Sequence, residues 1–232
     1  MNLYKNIKVI GFDADDTLWV NETYFREAEE EFGRLLSDYE TPNKIDQELF
    51  KMEMDNLGLY GYGVKAFVLS MVQSALELSN YSISHKTIEK ILNIGKDMLN
   101  KPVDLLDGVE EVLKTLSKDY RLILATKGDL LDQERKLEKS GLTDYFHHIE
   151  VLSDKKETNY SKLLKHLDVE PSEFLMIGNS LKSDVLPLIN LNAHAIHVPF
   201  HTTWAHEQVS EKETNGKQYT TIGSLRELLN IL

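Results

Sequence analysis

The chain is most constrained by one short stretch. Ile7-Lys8-Val9-Ile10-Gly11-Phe12 reads as a buried strand, and it runs directly into Asp13-Ala14-Asp15-Asp16, three carboxylates within four residues. Burying a carboxylate is costly unless it is paired or bound to a metal. In an open α/β sheet the ligand crevice lies just outside the carboxyl ends of the strands, where these acids fall. Side chains two apart in an extended segment point the same way, so Asp13 and Asp15 share a direction. The pair reads as a nucleophile, Asp13, with an acid/base partner, Asp15. The alternative is a strand followed by an Asp-rich turn.

Beyond Trp19 the pattern becomes helical. Asn21 is a candidate N-cap, and Phe25, Phe32, Leu35, Leu36 and Tyr39 fall on one helical face. Thr41-Pro42 reads as a break, with a second helix over residues 44–55 and a loop over 56–63. Val64, Phe67, Val68, Met71, Val72 and Ala75 define a third helix. Ser84 caps a fourth that carries Ile88, Ile91, Leu92, Gly95, Met98 and Leu99. Four helices with short connections and no strand between them predict a small all-α bundle, placed at residues 20–100.

From Lys101-Pro102 onward strands and helices alternate. Strands are expected at 120–126, 148–152, 174–179 and 193–198, with a short sixth at 219–222. Helices are expected at 108–117, 129–140, 160–167 and 225–232, and the polar stretch 207–218 reads as a surface loop. Gly141 is the left-handed residue closing the 129–140 helix. Such alternation predicts a doubly wound parallel α/β sheet, built from residues 1–19 and 101–232.

The strand ends then gather one kind of chemistry. The first delivers Asp13 and Asp15, the second Thr126, the third Lys155, and the fourth Asn179 with Asp184 shortly after. A parallel sheet brings all these ends to one edge. Each residue alone has a plainer reading: Thr126 an N-cap, Lys155 a solvated loop charge, Asp184 a helix N-terminal acid. Three carboxylates in one cleft repel, by about 4 kcal/mol per pair at 4 Å and an effective dielectric of 20. A phosphate dianion there would need a divalent cation, and hard oxygen ligands favour Mg2+. Lys155 supplies further positive charge, and Thr126 can hold phosphoryl oxygens. Asp13 is placed for in-line attack, and Asp15 to protonate the leaving alcohol and activate the water.

These residues resemble the motifs of the haloacid dehalogenase-like (HAD) superfamily, and the resemblance spans nearly the whole chain. It is carried by Asp13-Ala14-Asp15-Asp16-Thr17, by Thr126 after an apolar strand, by Lys155 with Lys156 as a neighbouring candidate, and by Gly178-Asn179-Ser180-Leu181-Lys182-Ser183-Asp184. The resemblance implies a Mg2+-dependent phosphatase acting through an aspartyl-phosphate on Asp13, with Asp15 as general acid/base. It further implies metal contacts from the Asp13 carboxylate, the Asp15 main-chain carbonyl and Asp184. Asn179 stands where many relatives carry a second acid, so it ranks below Asp184 as a ligand. The helical insertion resembles the cap of one large subclass, with hinges near Trp19-Val20 and Lys101-Pro102. Such caps close over the crevice and restrict substrates to small molecules.

Asp15 argues against a dehalogenase or phosphonatase relative, which does not need that acid. A phosphomutase keeps both acids and remains open, as does a regulatory phosphoacceptor module that is phosphorylated once without turnover. The formal charge of −12 argues against nucleic acid and anionic membranes as partners, leaving a small phosphorylated metabolite. The absence of cysteine suits a reducing compartment, no run is long and apolar enough for a membrane span, and Met1 to Lys5 leave no room for a signal peptide. A cytoplasmic protein is therefore expected. Within the bundle, Tyr60, Tyr62 and Lys65 beside three glycines are the candidates for reading the leaving group, the alternative being a tight interhelical connection. His194, His197, His201 and His206 lack a recognised zinc spacing.

Overall fold

The computed structural model describes residues 4–232. In chain order β1 (Val9–Phe12) leads into four helices: α1 (Glu22–Leu36), α2 (Pro42–Tyr60), α3 (Val64–Leu78) and α4 (His85–Asn100). Then follow α5 (Val109–Leu116), β2 (Arg121–Lys127), α6 (Leu130–Ser140), β3 (His148–Leu152) and α7 (Glu157–Leu167). The chain closes with β4 (Phe174–Gly178), α8 (Leu186–Asn190), β5 (His194–His197), α9 (Glu211–Thr214), β6 (Thr220–Thr221) and α10 (Leu228–Ile231).

Two compact units result. One holds residues 4–22, Val103–Lys127 and Glu134–Leu232; the other holds Thr23–Pro102 with Gly128–Gln133.

In the first unit all six strands are parallel, in the order β3-β2-β1-β4-β5-β6. This is the doubly wound α/β sheet that the alternation of elements predicts. The period-two rule divides its side chains cleanly. Ile10, Phe12, Leu122, Leu124, Leu175, Ile177 and Ile196 pack on one face against Val112, Leu113 and Leu116 of α5, Leu137 of α6 and Leu228 of α10. Val9, Ile123, Ala125, Phe174, Met176 and Ala195 pack on the other face against Tyr160, Leu163, Leu164 and Leu167 of α7 and Leu188 of α8. Each large apolar side chain so buried contributes about 1.5–3 kcal/mol, and both faces are covered, as a parallel sheet requires. Among the described residues no helix is long and apolar enough to cross a membrane.

The second unit is the all-α bundle. Phe32 and Leu36 of α1, Ile45 and Leu49 of α2, Phe67, Met71 and Ala75 of α3 and Ile91 of α4 form its core.

Three local expectations are corrected. Thr41-Pro42 does lie between two helices, but the second starts at Pro42 rather than at residue 44, because proline at the first helical position loses no intrahelical bond. The loop expected at 56–63 is helical as far as Tyr60. Asn56 is buried, and its Nδ2 donates to Ser70 Oγ at 3.1 Å and to Gln73 Oε1 at 2.6 Å, tying the last turns of α2 to α3. The helix stops at Gly61, whose φ of 71° suits glycine, and its N–H donates to Leu57 O. Finally, α1 ends at Leu36, so Tyr39 lies beyond it, while Asn21 directly precedes its first residue. Asp16 Oδ1 accepts the Asn21 N–H at 2.8 Å, and both Asp16 carboxylate oxygens accept that of Glu22. The Asp16 carboxylate thus satisfies two N–H groups at the start of the helix.

Candidate active site

The site grows from the end of β1, between strands whose connections lie on opposite faces of the sheet. The Asp13 N–H donates to Ile177 O at 2.9 Å, carrying the β1–β4 ladder one residue further. The chain then folds on itself, with Leu18 N–H donating to Ala14 O and Asp16 N–H to Trp19 O. Asp16 takes the left-handed φ of 60° that this turn needs. The strand thus holds Asp13 rigidly, and the turn sends Asp15 and Asp16 to separate tasks.

Lys155 lies between β3 and α7 and is 2% exposed. Its Nζ donates to Asp13 Oδ1 at 2.5 Å and to Asp184 Oδ1 at 2.6 Å. The neighbouring Lys156 is exposed and pairs with Asp154, so Lys155 is the lysine that meets the strand-end carboxylates. Burial pushes the Asp13 carboxyl up, to about 7, aided by Asp184 and opposed by Lys155. Burial works against the Lys155 charge too, but Asp13 and Asp184 outweigh it and raise its affinity for the proton. Both directions express one imbalance: a single ammonium faces two buried carboxylates.

Asp184 sits in a π-helical turn, Leu181–Val185. Its Oδ2 accepts the Ser180 N–H at 3.0 Å, and its own N–H donates to Ser180 O at 2.8 Å. The carboxylate lies directly against Gly178, where an added Cβ would come 2.3 Å from both Asp184 Cγ and Oδ2. Gly178→Ala is therefore expected to push Asp184 out of place and to destabilise the chain by about 1–3 kcal/mol, measured by denaturant unfolding. Wild-type stability in that variant would contradict the packing described.

Thr126, at the end of β2, is buried, and its hydroxyl donates to Lys127 O at 3.3 Å. The Asn179 side chain is engaged by Thr17, whose hydroxyl lies 3.2 Å from Asp13 Oδ2 and 3.3 Å from Asn179 Oδ1 and accepts the Asn179 N–H at 3.0 Å. Thr17 was present in the first motif, but nothing in the sequence distinguishes a bridging threonine from a turn threonine. Asp15 Oδ1 accepts from Trp19 Nε1 at 2.7 Å and from Lys136 Nζ at 2.5 Å. Lys136 also donates to Asn21 Oδ1 at 3.2 Å. It is an ordinary-looking lysine on an amphipathic helix, and no sequence signal marks it.

A second buried polar group lies beside this set. Lys127 Nζ donates to Glu207 Oε1 at 2.6 Å and to Ser183 Oγ at 2.9 Å. Glu207 Oε2 accepts the hydroxyls of Ser180 at 2.5 Å and Ser183 at 2.6 Å. Residue 207 opens the stretch read as a surface loop, yet its side chain is only 12% exposed. Burial raises the Glu207 carboxyl, but Lys127 and the two serines overcome it and leave it at about 2. A depressed carboxyl stabilises the fold fully above its unfolded value, near 4.5, and loses that contribution as pH falls through about 2. The contribution is ~3 kcal/mol. Unfolding free energies measured from pH 6 to pH 2 are expected to show the advantage of wild type over Glu207→Gln shrinking below pH 4.5. A pH-independent difference would contradict the assignment.

Tyr60, Tyr62 and Lys65 belong to the helical unit. Tyr60 ends α2 and is exposed, while Lys65 on α3 pairs with Asp129 at 2.8 Å. His197 Nε2 is 3.0 Å from Asn179 O, His194 meets the Tyr4 ring edge-on, His201 lies against Phe200 and His206 against Trp204. Among the described residues no three His, Cys, Asp or Glu side chains converge as a metal cluster.

Comparison with known proteins identifies the family. The haloacid dehalogenase-like hydrolase family model matches residues 7–192. A haloacid dehalogenase-like family hydrolase from Xanthomonas campestris is 36% identical, with a TM-score of 0.83 over 97% of this chain and 92% of that one. The glyceraldehyde 3-phosphate phosphatase of Methanothermobacter thermautotrophicus is 26% identical over 97% of this chain and its own full length. The N-acylneuraminate-9-phosphatase of Mus musculus is 24% identical over 82% of this chain and 81% of its own. With the family model covering most of its length and a parallel sheet presenting Asp13, Lys155 and Asp184 together, the chain belongs to the haloacid dehalogenase-like hydrolases.

Proposed function

We propose that the chain is a Mg2+-dependent phosphatase that hydrolyses a small phosphomonoester through an aspartyl-phosphate on Asp13. One observation carries the reading: Lys155 Nζ is shared between two buried carboxylates, Asp13 and Asp184, at the carboxyl edge of the sheet. Buried carboxylates perturbed by desolvation and a specific charge partner mark functional sites, and two acids sharing one ammonium leave charge for a divalent cation to balance.

The residues present fit a hard cation. Two buried carboxylates against one ammonium leave a net negative charge, and both offer oxygen donors. Mg2+ is commonly held by one or two carboxylates, with waters and substrate oxygens completing its shell. Asp13, Asp184 and the main-chain carbonyl of Asp15 would hold it, with Asn179 a weaker candidate because its side chain is engaged by Thr17. When bound, Mg2+ supplies charge that allows an anionic phosphoryl group to approach an anionic nucleophile.

The rest of the chemistry falls to the chain. Lys155 aims Asp13 and opposes the protonation that burial favours, and the Thr126 hydroxyl, with Lys155, binds phosphoryl oxygens. Asp13 attacks phosphorus as Asp15 gives a proton to the departing alcohol oxygen. Asp15 then takes a proton from the water that cleaves the Asp13–phosphate bond, returning both acids to their starting state.

The substrate class is a small phosphorylated metabolite, supported by relatives named for glyceraldehyde 3-phosphate and N-acylneuraminate 9-phosphate. A screen of phosphate release over sugar phosphates, nucleoside monophosphates and phosphoacids, run beside variants of Tyr60, Tyr62 and Lys65, tests the reading. EDTA is expected to abolish release and Mg2+ to restore it. Turnover indifferent to chelation would remove the metal from the account.

A further inference from the structure

We propose that Glu207 is a positioning residue that locks the Asp184 turn to the end of β2 and thereby sets the affinity for Mg2+. The inference rests on the phosphatase reading of the site and extends it to a residue none of the strand-end motifs contains.

Asp184 is held by its own turn, through Ser180 N–H on Oδ2 and the Asp184 N–H on Ser180 O. That turn is in turn pinned by Ser180 Oγ, which accepts the Ser183 N–H at 3.0 Å. Both hydroxyls, Ser180 and Ser183, point their protons at one oxygen, Glu207 Oε2. The second oxygen, Oε1, takes Lys127, the residue next to Thr126. Lys127 also reaches Ser183 Oγ, closing a ring of Lys127, Glu207 and Ser183. One carboxylate therefore joins the strand end that offers Thr126 to the turn that offers Asp184.

The chemistry requires an anion at this point. A buried carboxylate can accept from two hydroxyls and an ammonium at once, whereas an amide offers a single accepting oxygen. A glutamine there could keep Lys127 on its oxygen, but its N–H groups would face the serines, whose hydroxyls would have to change from donating to accepting, and the negative charge opposite Lys127 would be lost. The Leu181–Val185 turn that carries Asp184 is π-helical, a rare conformation found mostly at functional sites. Tyr160 supplies one prop by donating to Ser183 O at 3.0 Å, and Glu207 supplies the others. Partners that orient ligand-bearing elements tune metal affinity, and their loss costs about 10–100-fold.

The test is Mg2+ titration calorimetry on metal-stripped protein, with kinetics alongside, for wild type, Glu207→Gln and Ser183→Ala. The exposed Glu213, which bonds Ser210, provides Glu213→Gln as a control. Glu207→Gln is expected to weaken Mg2+ binding by about tenfold or more and to lower kcat at subsaturating Mg2+, with activity recovering at high Mg2+. Ser183→Ala is expected to shift both in the same direction by less, and Glu213→Gln to shift neither. If Glu207→Gln does not fold, Ser183→Ala decides alone. Wild-type Mg2+ affinity in a folded Glu207→Gln or, failing that, in Ser183→Ala would overturn the proposal. Weakened binding in a protein that releases no phosphate from any substrate would leave the proposal standing and sink the phosphatase reading instead.

Discussion

Asp13→Asn is expected to abolish phosphate release, lowering kcat by at least about 10,000-fold, the scale seen when a covalent nucleophile is removed. Asparagine has the same size, and its oxygen can still accept from Lys155, so the Asp13 contact at 2.5 Å need not be vacated. The Ile177 O contact is made by the main chain and is untouched. The variant should therefore fold with a circular dichroism spectrum like that of wild type. A loss of about 5.5 kcal/mol of transition-state stabilisation without loss of structure is the signature of missing chemistry. Steady-state assays on the best substrate from the screen provide the check, and normal turnover would eliminate Asp13 as nucleophile.

The second large effect concerns Asp15. For Asp15→Asn, hydrolysis of alkyl phosphates is expected to fall by about 100–10,000-fold, the usual worth of a general acid. Aryl phosphates should lose much less in the step that forms the intermediate, since their leaving oxygen needs little help from a proton. The asparagine oxygen can still accept from Trp19 Nε1, while the Lys136 ammonium loses its charged partner. A single-turnover comparison of p-nitrophenyl phosphate with a sugar phosphate separates departure from later hydrolysis. Equal losses in departure of both alcohols would show that Asp15 acts through structure or charge instead.

The parts of the fold that could be read from the sequence are those set by period. Alternating strands and helices after Lys101 give the parallel sheet because buried strands and amphipathic helices carry different spacings, and the sheet's topology then brings the polar strand ends to one edge. Choices made by burial could not be read. Lys155 and Lys156 are identical in one dimension, and only the three-dimensional position of α7 makes one buried and the other exposed. Glu207 opens a hydrophilic stretch that looks like solvated loop, yet partners from β2 and the Asp184 turn draw its charge inside. Lys136 meets Asp15 across 121 residues, a separation at which local pattern carries no information. The helical extension of α2 to Tyr60 went unread for a similar reason. Gly58 suggested a loop, and the contact of Asn56 with Ser70 and Gln73 on the next helix overrides that weak local preference.

Passage of the phosphoryl group through Asp13 is checked by quenching the wild-type enzyme during turnover, reducing with borohydride and sequencing the peptides by mass spectrometry. Trapped aspartyl-phosphate at Asp13 is expected to appear as homoserine at that position, together with continued release of inorganic phosphate and with no such product from Asp13→Asn. Phosphate released at full rate with aspartate intact at position 13, or a stable phosphorylation there with no release at all, would contradict it.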